Sequence, residues 1–455
     1  MKLLRLPLHL LSIFHILAIA SPLLSYTHAH PFAFSQGQEH SEKSEIQFLL
    51  QSPDTQQIPL GARQSHSKND IFAGQKLPDQ KLTLRHLLHH GGHRYPKLFR
   101  RMDLQPADVA LAEQLTGESL AFQLKVTASS TLKPRDQTYR SQGFRSPGSS
   151  IGPGSWTKEI IAAPDVTDKE TIIQLGMMNY NSYTEVASPG WYDLGGHWSV
   201  NSTFGWEEDG LRGHVFVSAD NSTLIIAIKG TSAALLGGGG GTSARDKIND
   251  NLLFSCCCAK VDRTWRPVCD CNTGGYQCDQ RCVENSVSSD DVYYNIAMLL
   301  LWTVQDEYPE ANVWLTGHSL GGGLAALLGL TFAVPTVTFE APGDRLAAQR
   351  LHLPMPPAID WDDLPLYHVG HTADPIFLGV CNGPSSACYY SGFAMESKCH
   401  TGRMCVYDPV KEDNWKVDIR THRLFDTIEG VLKLKDVPPC KVEKKCVDCE
   451  MWSYT

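Results

Sequence analysis

The sequence predicts an α/β fold, in which a mostly parallel sheet is flanked by helices. Helical and strand patterns alternate along the second half of the chain, in the order helix, strand, helix, strand, strand: 288–308, 313–316, 322–332, 336–339 and 366–369. The first strand pattern runs into residues 317–321, which have the spacing G-x-S-x-G. That spacing is typical of a sharp strand-to-helix turn that presents a serine.

Length and composition exclude some classes of protein. The 455 residues are enough for one large domain with extensions or for two domains. A hydrophobic content of 42% is ordinary for a globular core, so wholesale disorder is not expected. The net charge of −9 shows no excess of basic residues, which argues against a nucleic-acid-binding protein.

The N-terminus carries a candidate membrane segment. Lys2 and Arg5 precede an apolar run at 6–24, which is about as long as a bilayer core requires. One interpretation is a signal-anchor transmembrane helix, with a cytoplasmic tail at 1–5 and the bulk of the chain in a lumen. The other is a signal peptide cleaved at the small residues 18–20. Both interpretations place the rest of the chain outside the cytosol.

Residues 25–155 are interpreted as a lumenal stem and N-terminal extension. Residues 31–80 are polar without a sustained period, and 130–155 are rich in Ser, Gly and Pro. Between them, 81–104 combine leucines with four histidines and a basic flank. We interpret this stretch as the end of a surface helix, with a metal site as the alternative. The α/β domain is therefore predicted at 156–430.

Local patterns predict the elements of this domain in order. Apolar residues at helical spacing predict a helix over 168–180, and two β-rich runs around 219–222 predict a hairpin. Five consecutive glycines at 237–241 predict a mobile loop. Residues 288–291 are expected to cap the long helix that follows them.

Fourteen cysteines lie in three clusters and predict disulfide bonds. A zinc site needs paired C-x-x-C knuckles, and Cys446-x-x-Cys449 alone has that spacing, so no metal site is predicted. Disulfides imply an oxidising compartment of the secretory route, and the sequons at Asn201 and Asn221, predicted to be glycosylated, agree with it. The first cluster forms a Cys-rich insert at 254–285, and the last lies in a predicted C-terminal tail at 431–455.

The serine of the G-x-S-x-G turn, Ser319, is the predicted nucleophile. A serine hydroxyl needs a base that takes its proton and an acid that orients the base. In α/β-hydrolases the acid and then the histidine follow the serine along the chain. Asp374 follows a predicted strand and His422 comes after it, so we predict both as the partners of Ser319. The remaining candidate acids and bases are Glu340, Asp344, Asp360, Asp362, Asp363, His352, His368, His371 and His400.

Two further groups are expected to form an oxyanion hole, which stabilises the negative charge that develops on the substrate oxygen. The backbone N–H of Leu320 comes just after the nucleophile, and Thr231 follows a predicted strand. His318 precedes the serine at a position that points into the fold, so we expect a packed, hydrogen-bonded side chain. This chemistry needs no metal or organic cofactor.

Four motifs, taken in order, resemble the class 3 lipases, the family of the fungal triacylglycerol lipases. The motifs are residues 228–231, 316–322 and 374–375, and His422. The resemblance covers about residues 165–430. It implies an α/β-hydrolase fold of the class 3 lipase type with a mostly parallel central sheet.

Further motifs resemble the fungal autophagy-related lipases within that family: 255–258, 268–271, 339–346 and 370–376. This resemblance implies a single-pass type II membrane protein that passes through Golgi, endosomes and multivesicular bodies into the vacuole and lyses autophagic bodies there. It implies membrane glycerolipids and phospholipids as substrates, and it favours the signal anchor. It also implies phosphoinositide binding, for which the basic stretch 94–101 is the candidate.

The resulting hypothesis is a lumenal serine lipase or phospholipase. Secreted class 3 lipases carry a short amphipathic lid where this chain has its glycine tract and Cys-rich insert. A free imidazole is largely protonated in an acidic vacuole, so the rate is expected to fall along an acid limb as His422 takes up a proton. The alternatives are a serine esterase or peptidase of the secretory pathway, and a catalytically dead lipid-binding protein.

Overall fold

An eleven-stranded sheet is the framework of the structure, which is a computed structural model. The described residues are 74–92, 95–105, 107, 110, 121–134, 156–183, 210–231, 243–260, 266–356, 359–383 and 386–455. The predicted tail 1–5, membrane segment 6–24, Asn201 and glycine tract 237–241 lie outside them. Among the helices in the described ranges, none has both the length and the apolar character needed to cross a bilayer.

The bounds of the strands and helices follow the chain. The strands are β1 Lys76–Gly91, β2 Tyr95–Asp103, β3 Ala121–Pro134, β4 Trp156–Pro164, β5 Leu211–Ser218, β6 Thr223–Ile228, β7 Asn272–Gly274, β8 Gln277–Cys278, β9 Asn312–His318, β10 Thr336–Phe339, β11 Leu366–His371, β12 Arg403–Tyr407, β13 Lys441–Val442 and β14 Ser453–Tyr454. The α-helices are α1 Lys169–Asn181, α2 Ser243–Phe254, α3 Gln280–Val287, α4 Tyr293–Glu307, α5 Leu320–Phe332, α6 Arg345–Arg350, α7 Ala387–Ser391, α8 Pro409–Glu412 and α9 Leu424–Thr427. Two 3₁₀ turns, Trp361–Asp363 and Ile419–His422, and a π-helical turn, Ile428–Leu432, complete the described elements.

The centre of the sheet is a parallel block of β6, β9, β10, β11 and β12, in which neighbouring strands run in the same direction. Antiparallel strands extend it on both sides, with β13 at one end and β5, β1, β3 and β4 at the other. The carboxyl ends of parallel strands meet at one edge, so the loops after β6, β9, β10 and β11 converge there. The prediction of an α/β fold with a mostly parallel central sheet is confirmed.

Both faces of the sheet are covered by helices because side chains along each strand alternate in direction. In β6, Ile226 and Ile228 pack in one apolar cluster with α4 and α5. Ile225 and Ala227, between them, pack in a second cluster with α1 and the segment that follows His422. The helix predicted over 168–180 is confirmed as α1, and the predicted hairpin is confirmed as the antiparallel pair β5 and β6.

The N-terminal boundary of the domain was predicted wrongly. Residues 76–134, assigned to a stem and extension that ended at 155, contain three strands of the main sheet. The stretch 81–104, predicted as a surface helix end, is β1 followed by β2. Its leucines fit a helical period at 84, 87 and 88, but a bulge in the pairing between Leu84 and His86 produces that spacing in a strand. Three of its histidines, His86, His89 and His90, are buried, and His86 Nδ1 lies 2.9 Å from Asp103 Oδ1. His93 lies outside the described residues.

The predicted cap of the long helix α4 was also wrong. Its first residue is Tyr293, and no side chain of the preceding residue caps it. Asn249 of α2 does so instead, since its Oδ1 accepts a bond from the Tyr293 N–H at 2.7 Å. Ser289, expected as a cap, donates its hydroxyl to Asp291. A partner 44 residues away along the chain carries no local sequence signal.

All fourteen cysteines form disulfide bonds, as predicted. The pairs are 256–449, 257–278, 258–269, 271–282, 381–388, 399–446 and 405–440. Three sulfurs of the insert, those of Cys258, Cys269 and Cys271, are close enough to hold a metal ion, but each belongs to a disulfide. The predicted tail 431–455 is part of the fold, because three disulfides join it to the domain and its two strands pair with β12 and β8.

Replacing Cys256 and Cys449 together by alanine is expected to lower the free energy of unfolding by about 4 kcal/mol. This bond joins residues 193 positions apart, and a long closed loop removes more entropy from the unfolded chain than a short one. The matched control is the pair Cys381 and Cys388, whose separation is 7 and whose loss should cost about 2 kcal/mol. Thermal unfolding followed by circular dichroism compares them, and an equal or smaller effect of the long-range pair contradicts the prediction.

Candidate active site

Ser319 lies on the sharp turn that joins β9 to α5. Its backbone has φ 57° and ψ −131°, a conformation that costs energy in a residue other than glycine and persists where the surroundings enforce it. Two backbone bonds do so: the Ser319 N–H donates to the carbonyl of Phe339 at 3.1 Å, and the Ser319 carbonyl accepts from Gly323 at 3.0 Å. The hydroxyl is thereby held at the carboxyl edge of the sheet.

Close backbone approaches explain why the turn contains glycine. A Cβ on Gly321 would lie 2.2 Å from the carbonyl oxygen of Ile228, at the end of β6. A Cβ on Gly230 would lie 2.3 Å from the carbonyl oxygen of His318 and 3.1 Å from the Cβ of Ser319. The loop after β6 therefore packs directly against the serine turn.

The structure brings together the three residues predicted from the order along the chain. His422 Nε2 lies 2.8 Å from Ser319 Oγ, and His422 Nδ1 lies 2.7 Å from Asp374 Oδ2. In this arrangement the serine hydroxyl donates to Nε2, and Nδ1–H donates to the carboxylate. The residue pairs are 103 and 48 positions apart in sequence, so the convergence comes from the order of strands in the sheet.

Asp374 is fully buried in the loop after β11 and is held as a carboxylate. Its Oδ1 accepts a bond from the Ile376 N–H at 2.8 Å. Burial alone would raise the pKa of Asp374, but the charge and hydrogen bond of His422, together with a hydrogen bond from Glu340, outweigh burial and lower it. The acid that orients the imidazole is therefore ionised in the folded protein.

Glu340 is the residue of this site whose position the sequence did not predict. It was one of several candidate acids, and the structure places it directly after β10, fully buried and beside Asp374. The pKa of Glu340 is raised well above its usual range, mainly by burial and then by the negative charge of Asp374. The sequence signal that could have identified Glu340 was its position directly after β10, the strand between β9 and β11.

His318 is packed and hydrogen-bonded, as predicted. Its Nδ1 lies 2.8 Å from the hydroxyl of Tyr183, and its Nε2 lies 3.0 Å from the carbonyl oxygen of His422. Burial lowers the pKa of His318 to about 3, so the ring is neutral and supports the loop that carries His422. His318 is thus a structural neighbour of the base.

The other candidate histidines have partners of their own. His371 Nε2 lies 3.2 Å from the Thr421 carbonyl oxygen, and His400 Nε2 lies 3.0 Å from the Ala341 carbonyl oxygen. His368 Nδ1 bonds the hydroxyl of Thr338, and His352 lies 3.5 Å from Glu284 at the surface. His422 is therefore the candidate base that contacts Ser319.

The two predicted oxyanion donors lie beside the serine turn. Leu320 is the first residue of α5, where the backbone N–H groups have no acceptor within the helix. Thr231 is in the loop that packs against Ser319, and its hydroxyl donates to Asp250 Oδ2 at 2.5 Å. Burial raises the pKa of Asp250 well above its usual range. Their role in binding an oxyanion stays a prediction.

Two predicted surface features, the glycosylation site Asn221 and the basic stretch 94–101, stay predictions. Asn221 lies in the exposed turn between β5 and β6, accessible to modification, and its glycosylation stays a prediction. In the basic stretch 94–101, Arg101 is paired with Asp103 and Glu307. Arg94 lies outside the described residues, and phosphoinositide binding stays untested.

A Gly230→Ala substitution is expected to lower activity at least tenfold and the free energy of unfolding by about 1–3 kcal/mol. The added methyl group meets the Tyr183 hydroxyl at 2.2 Å and the backbone before Ser319, so the serine turn must shift. The control is Gly176→Ala in α1, whose methyl group meets the movable side chain of Ile428 at 3.3 Å. Ester hydrolysis and thermal unfolding measure both, and wild-type activity in Gly230→Ala would contradict the prediction.

Comparison with known proteins gives three results. A family model described as lipase (class 3) matches residues 259–339, which include Ser319. A curated protein of Cryptococcus neoformans var. neoformans serotype D (strain JEC21), named "Putative lipase ATG15", is 42% identical over 416 residues, covering 89% of this chain and 75% of that protein. A protein of the same name from Vanderwaltozyma polyspora is 47% identical over 302 residues, covering 65% of this chain and 54% of its own length.

Solved lipase structures are similar at a lower level. Lip2 lipase of Yarrowia lipolytica has 17% identity and a TM-score of 0.28, and the alignment covers 52% of this chain and 78% of that chain. Lipase II of Rhizopus niveus has 17% identity and a TM-score of 0.26, covering 52% and 80%.

Proposed function

This chain belongs to the class 3 lipase family and is an ester hydrolase, and we propose from that premise that Ser319, His422 and Asp374 hydrolyse the acyl esters of membrane lipids. The observation that carries the proposal is the continuous chain of hydrogen bonds from Ser319 Oγ through the imidazole to Asp374, at 2.8 and 2.7 Å. A base within hydrogen-bond reach of a serine, oriented by a buried carboxylate, is the arrangement that activates a hydroxyl for acyl transfer.

The reaction proceeds in two steps, acylation of Ser319 and hydrolysis of the acyl-serine. Ser319 Oγ attacks the acyl carbonyl carbon while His422 Nε2 takes the hydroxyl proton, and the resulting oxyanion is stabilised by the Leu320 N–H and Thr231. The ester C–O bond then breaks, and the leaving alcohol oxygen takes the proton from His422. In the second step a water gives a proton to His422 Nε2 while its oxygen attacks the acyl carbon. The bond between Ser319 Oγ and the acyl carbon then breaks, and Oγ takes the proton from His422, which releases the fatty acid and restores the serine hydroxyl.

Membrane glycerolipids and phospholipids are the proposed substrates. The names of the relatives support a lipase connected with autophagy, and the fully disulfide-bonded domain suits an oxidising compartment. We place the enzyme behind the N-terminal signal anchor, on the route through Golgi, endosomes and multivesicular bodies to the vacuole lumen. There it would lyse autophagic bodies and vesicle membranes. Secretion after signal-peptide cleavage is the alternative.

A comparison of hydrolysis rates on four substrates tests the proposal. The purified full chain is offered phosphatidylserine vesicles, phosphatidylcholine vesicles, a triglyceride emulsion and a peptide ester, and Ser319 is probed with a fluorophosphonate. The proposal expects labelling of Ser319 and faster release of fatty acid from lipid than of product from the peptide ester. A preference for the peptide ester favours a serine peptidase. An unlabelled serine favours a lipid-binding protein without activity.

A further inference from the structure

A second carboxyl group, that of Glu340, lies beside the acid of the proposed catalytic residues. Glu340 has no exposed surface, and its carboxyl group interacts with that of Asp374. Its Oε1 is a buried oxygen that no donor among the described residues satisfies. Its Oε2 accepts a bond from the His371 backbone N–H at 3.4 Å. The backbone of Glu340 has φ 43°, so the residue is held in an unusual conformation at the end of β10. The proposed mechanism assigns no role to this group.

The charges around the pair decide which carboxyl group carries a proton. Two buried carboxyl groups in contact cannot both be ionised at little cost, because their negative charges repel in a poorly solvated site. Asp374 accepts bonds from His422 Nδ1 and the Ile376 N–H, and these stabilise its negative charge. Glu340 accepts a single long bond, from the His371 N–H at 3.4 Å, so its negative charge is less well stabilised and the shared proton resides on Glu340.

The titratable groups that face the pair come from three elements. From β11, His371 Nε2 lies 3.5 Å from Glu340 Oε1 and 3.2 Å from the Thr421 carbonyl oxygen. Burial lowers the pKa of His371, and its Nδ1 accepts the Ala373 N–H at 3.2 Å, so the ring is neutral. From the turn Ile419–His422 comes His422 itself, and from β9 comes His318, whose ring centroid is 4.7 Å from that of His422.

We propose that Glu340 is a positioning residue whose protonated carboxyl group donates a hydrogen bond to Asp374 and thereby extends the activity of His422 to lower pH. The proposal rests on the serine mechanism proposed above. A neutral donor keeps Asp374 ionised, so the imidazole remains oriented. It also shares the negative charge of Asp374, which therefore stabilises the imidazolium less strongly than a carboxylate without that donor. The imidazole then loses its proton more readily.

This arrangement suits an enzyme that works in an acidic compartment. A base paired with a strong carboxylate retains its proton as the pH falls and stops accepting one from the serine. Glu340 counteracts that retention without adding a positive charge to the buried site. It also needs no metal or further protein, because the donor, the acid and the base lie on the ends of neighbouring strands and the loop before α9.

The test compares the pH profiles of kcat and KM for wild type, Glu340→Gln and Glu340→Leu on a soluble short-chain ester. Leucine cannot donate, so we expect the acid limb of kcat to move about one unit to higher pH, with kcat about tenfold lower at acid pH and KM unchanged. Glutamine can donate through its amide N–H, so its acid limb should lie near that of wild type. A glutamine variant shifted as far as the leucine variant overturns the proposal, as does a leucine variant without a shift.

Two further measurements keep the test decisive. Glu396→Gln is the matched control. Burial raises the pKa of the Glu396 carboxyl group as it does that of Glu340. Glu396 accepts a bond from the Cys256 N–H and lies outside the proposed catalytic groups. It should leave the acid limb in place. If the leucine variant does not fold, infrared difference spectra of wild type against Glu340→Gln at neutral pH should show the carbonyl band of a protonated acid. Absence of that band overturns the proposal.

Fluorophosphonate labelling of Ser319 in each variant distinguishes a failure of this proposal from a failure of the serine mechanism on which it depends. A wild-type protein whose Ser319 is not labelled means that the serine mechanism has failed. Labelling of wild type together with unmoved acid limbs in the variants means that Glu340 alone was misassigned.

Discussion

Ser319→Ala is expected to lower kcat for ester hydrolysis by at least about 10⁴-fold, without loss of the fold. Alanine removes the oxygen that attacks the acyl carbonyl, and no second hydroxyl in the described site stands 2.8 Å from His422 Nε2 in its place. A methyl group fits the space of the serine Cβ, so α5 and the turn should form as before. The measurement is fatty-acid release from vesicles of defined composition, with circular dichroism to confirm folding.

Ser288→Ala is the matched control for this prediction. Ser288 is exposed at the end of α3, where its hydroxyl donates to the Glu284 carbonyl at 2.7 Å. The control should hydrolyse lipid at the wild-type rate and should still be labelled at Ser319 by a fluorophosphonate. Ser319→Ala should not be labelled. Residual hydrolysis near the wild-type rate in Ser319→Ala would rule out this serine as the nucleophile.

Asp374→Asn is expected to lower kcat by about 10⁴-fold at neutral pH. An asparagine retains the shape of the side chain but can present its NH₂ group to the imidazole. The ring then adopts the tautomer with the proton on Nε2, which cannot accept the proton of Ser319. The buried amide also removes the negative charge that stabilises the imidazolium in the transition state. Steady-state kinetics on a soluble ester measures the loss, with KM expected to change little.

Asp363→Asn tests whether the loss is specific to the buried acid. Asp363 lies in the turn Trp361–Asp363 and pairs with Lys158 at 2.5 Å, with both side chains partly solvated. Exposed ion pairs contribute roughly 0–1 kcal/mol, so this variant should keep its activity and its melting temperature. Equal losses in the two variants would show that Asp374 acts on stability rather than on the imidazole.

The residues of the site could be predicted from the sequence because their identities and order carry local signals. The G-x-S-x-G turn identifies Ser319 by the glycines that its close backbone contacts require. Asp374 was identified by its place after a strand pattern, and His422 by its position after the acid. The hairpin, α1 and the disulfide bonding followed from equally local patterns or from composition.

Other features depended on partners far away in sequence. The strand β1 was missed because buried histidines and a bulge disguise its period. The start of α4 was misplaced because Asn249 supplies the N-terminal bond from another helix. The connectivity of fourteen cysteines depends on which segments the sheet brings together, as with the bond between Cys256 and Cys449.

The sequence by itself determined the chemistry available to this protein: a presented serine, an acid and a base in order, and cysteines for an oxidising compartment. The tertiary structure decided which groups meet. It placed Glu340 against Asp374 because β10 lies between β9 and β11, so that the three strands end side by side. The protonation of a buried carboxyl group depends on the charges and solvent around it, and neighbouring strands create those surroundings only when the chain folds.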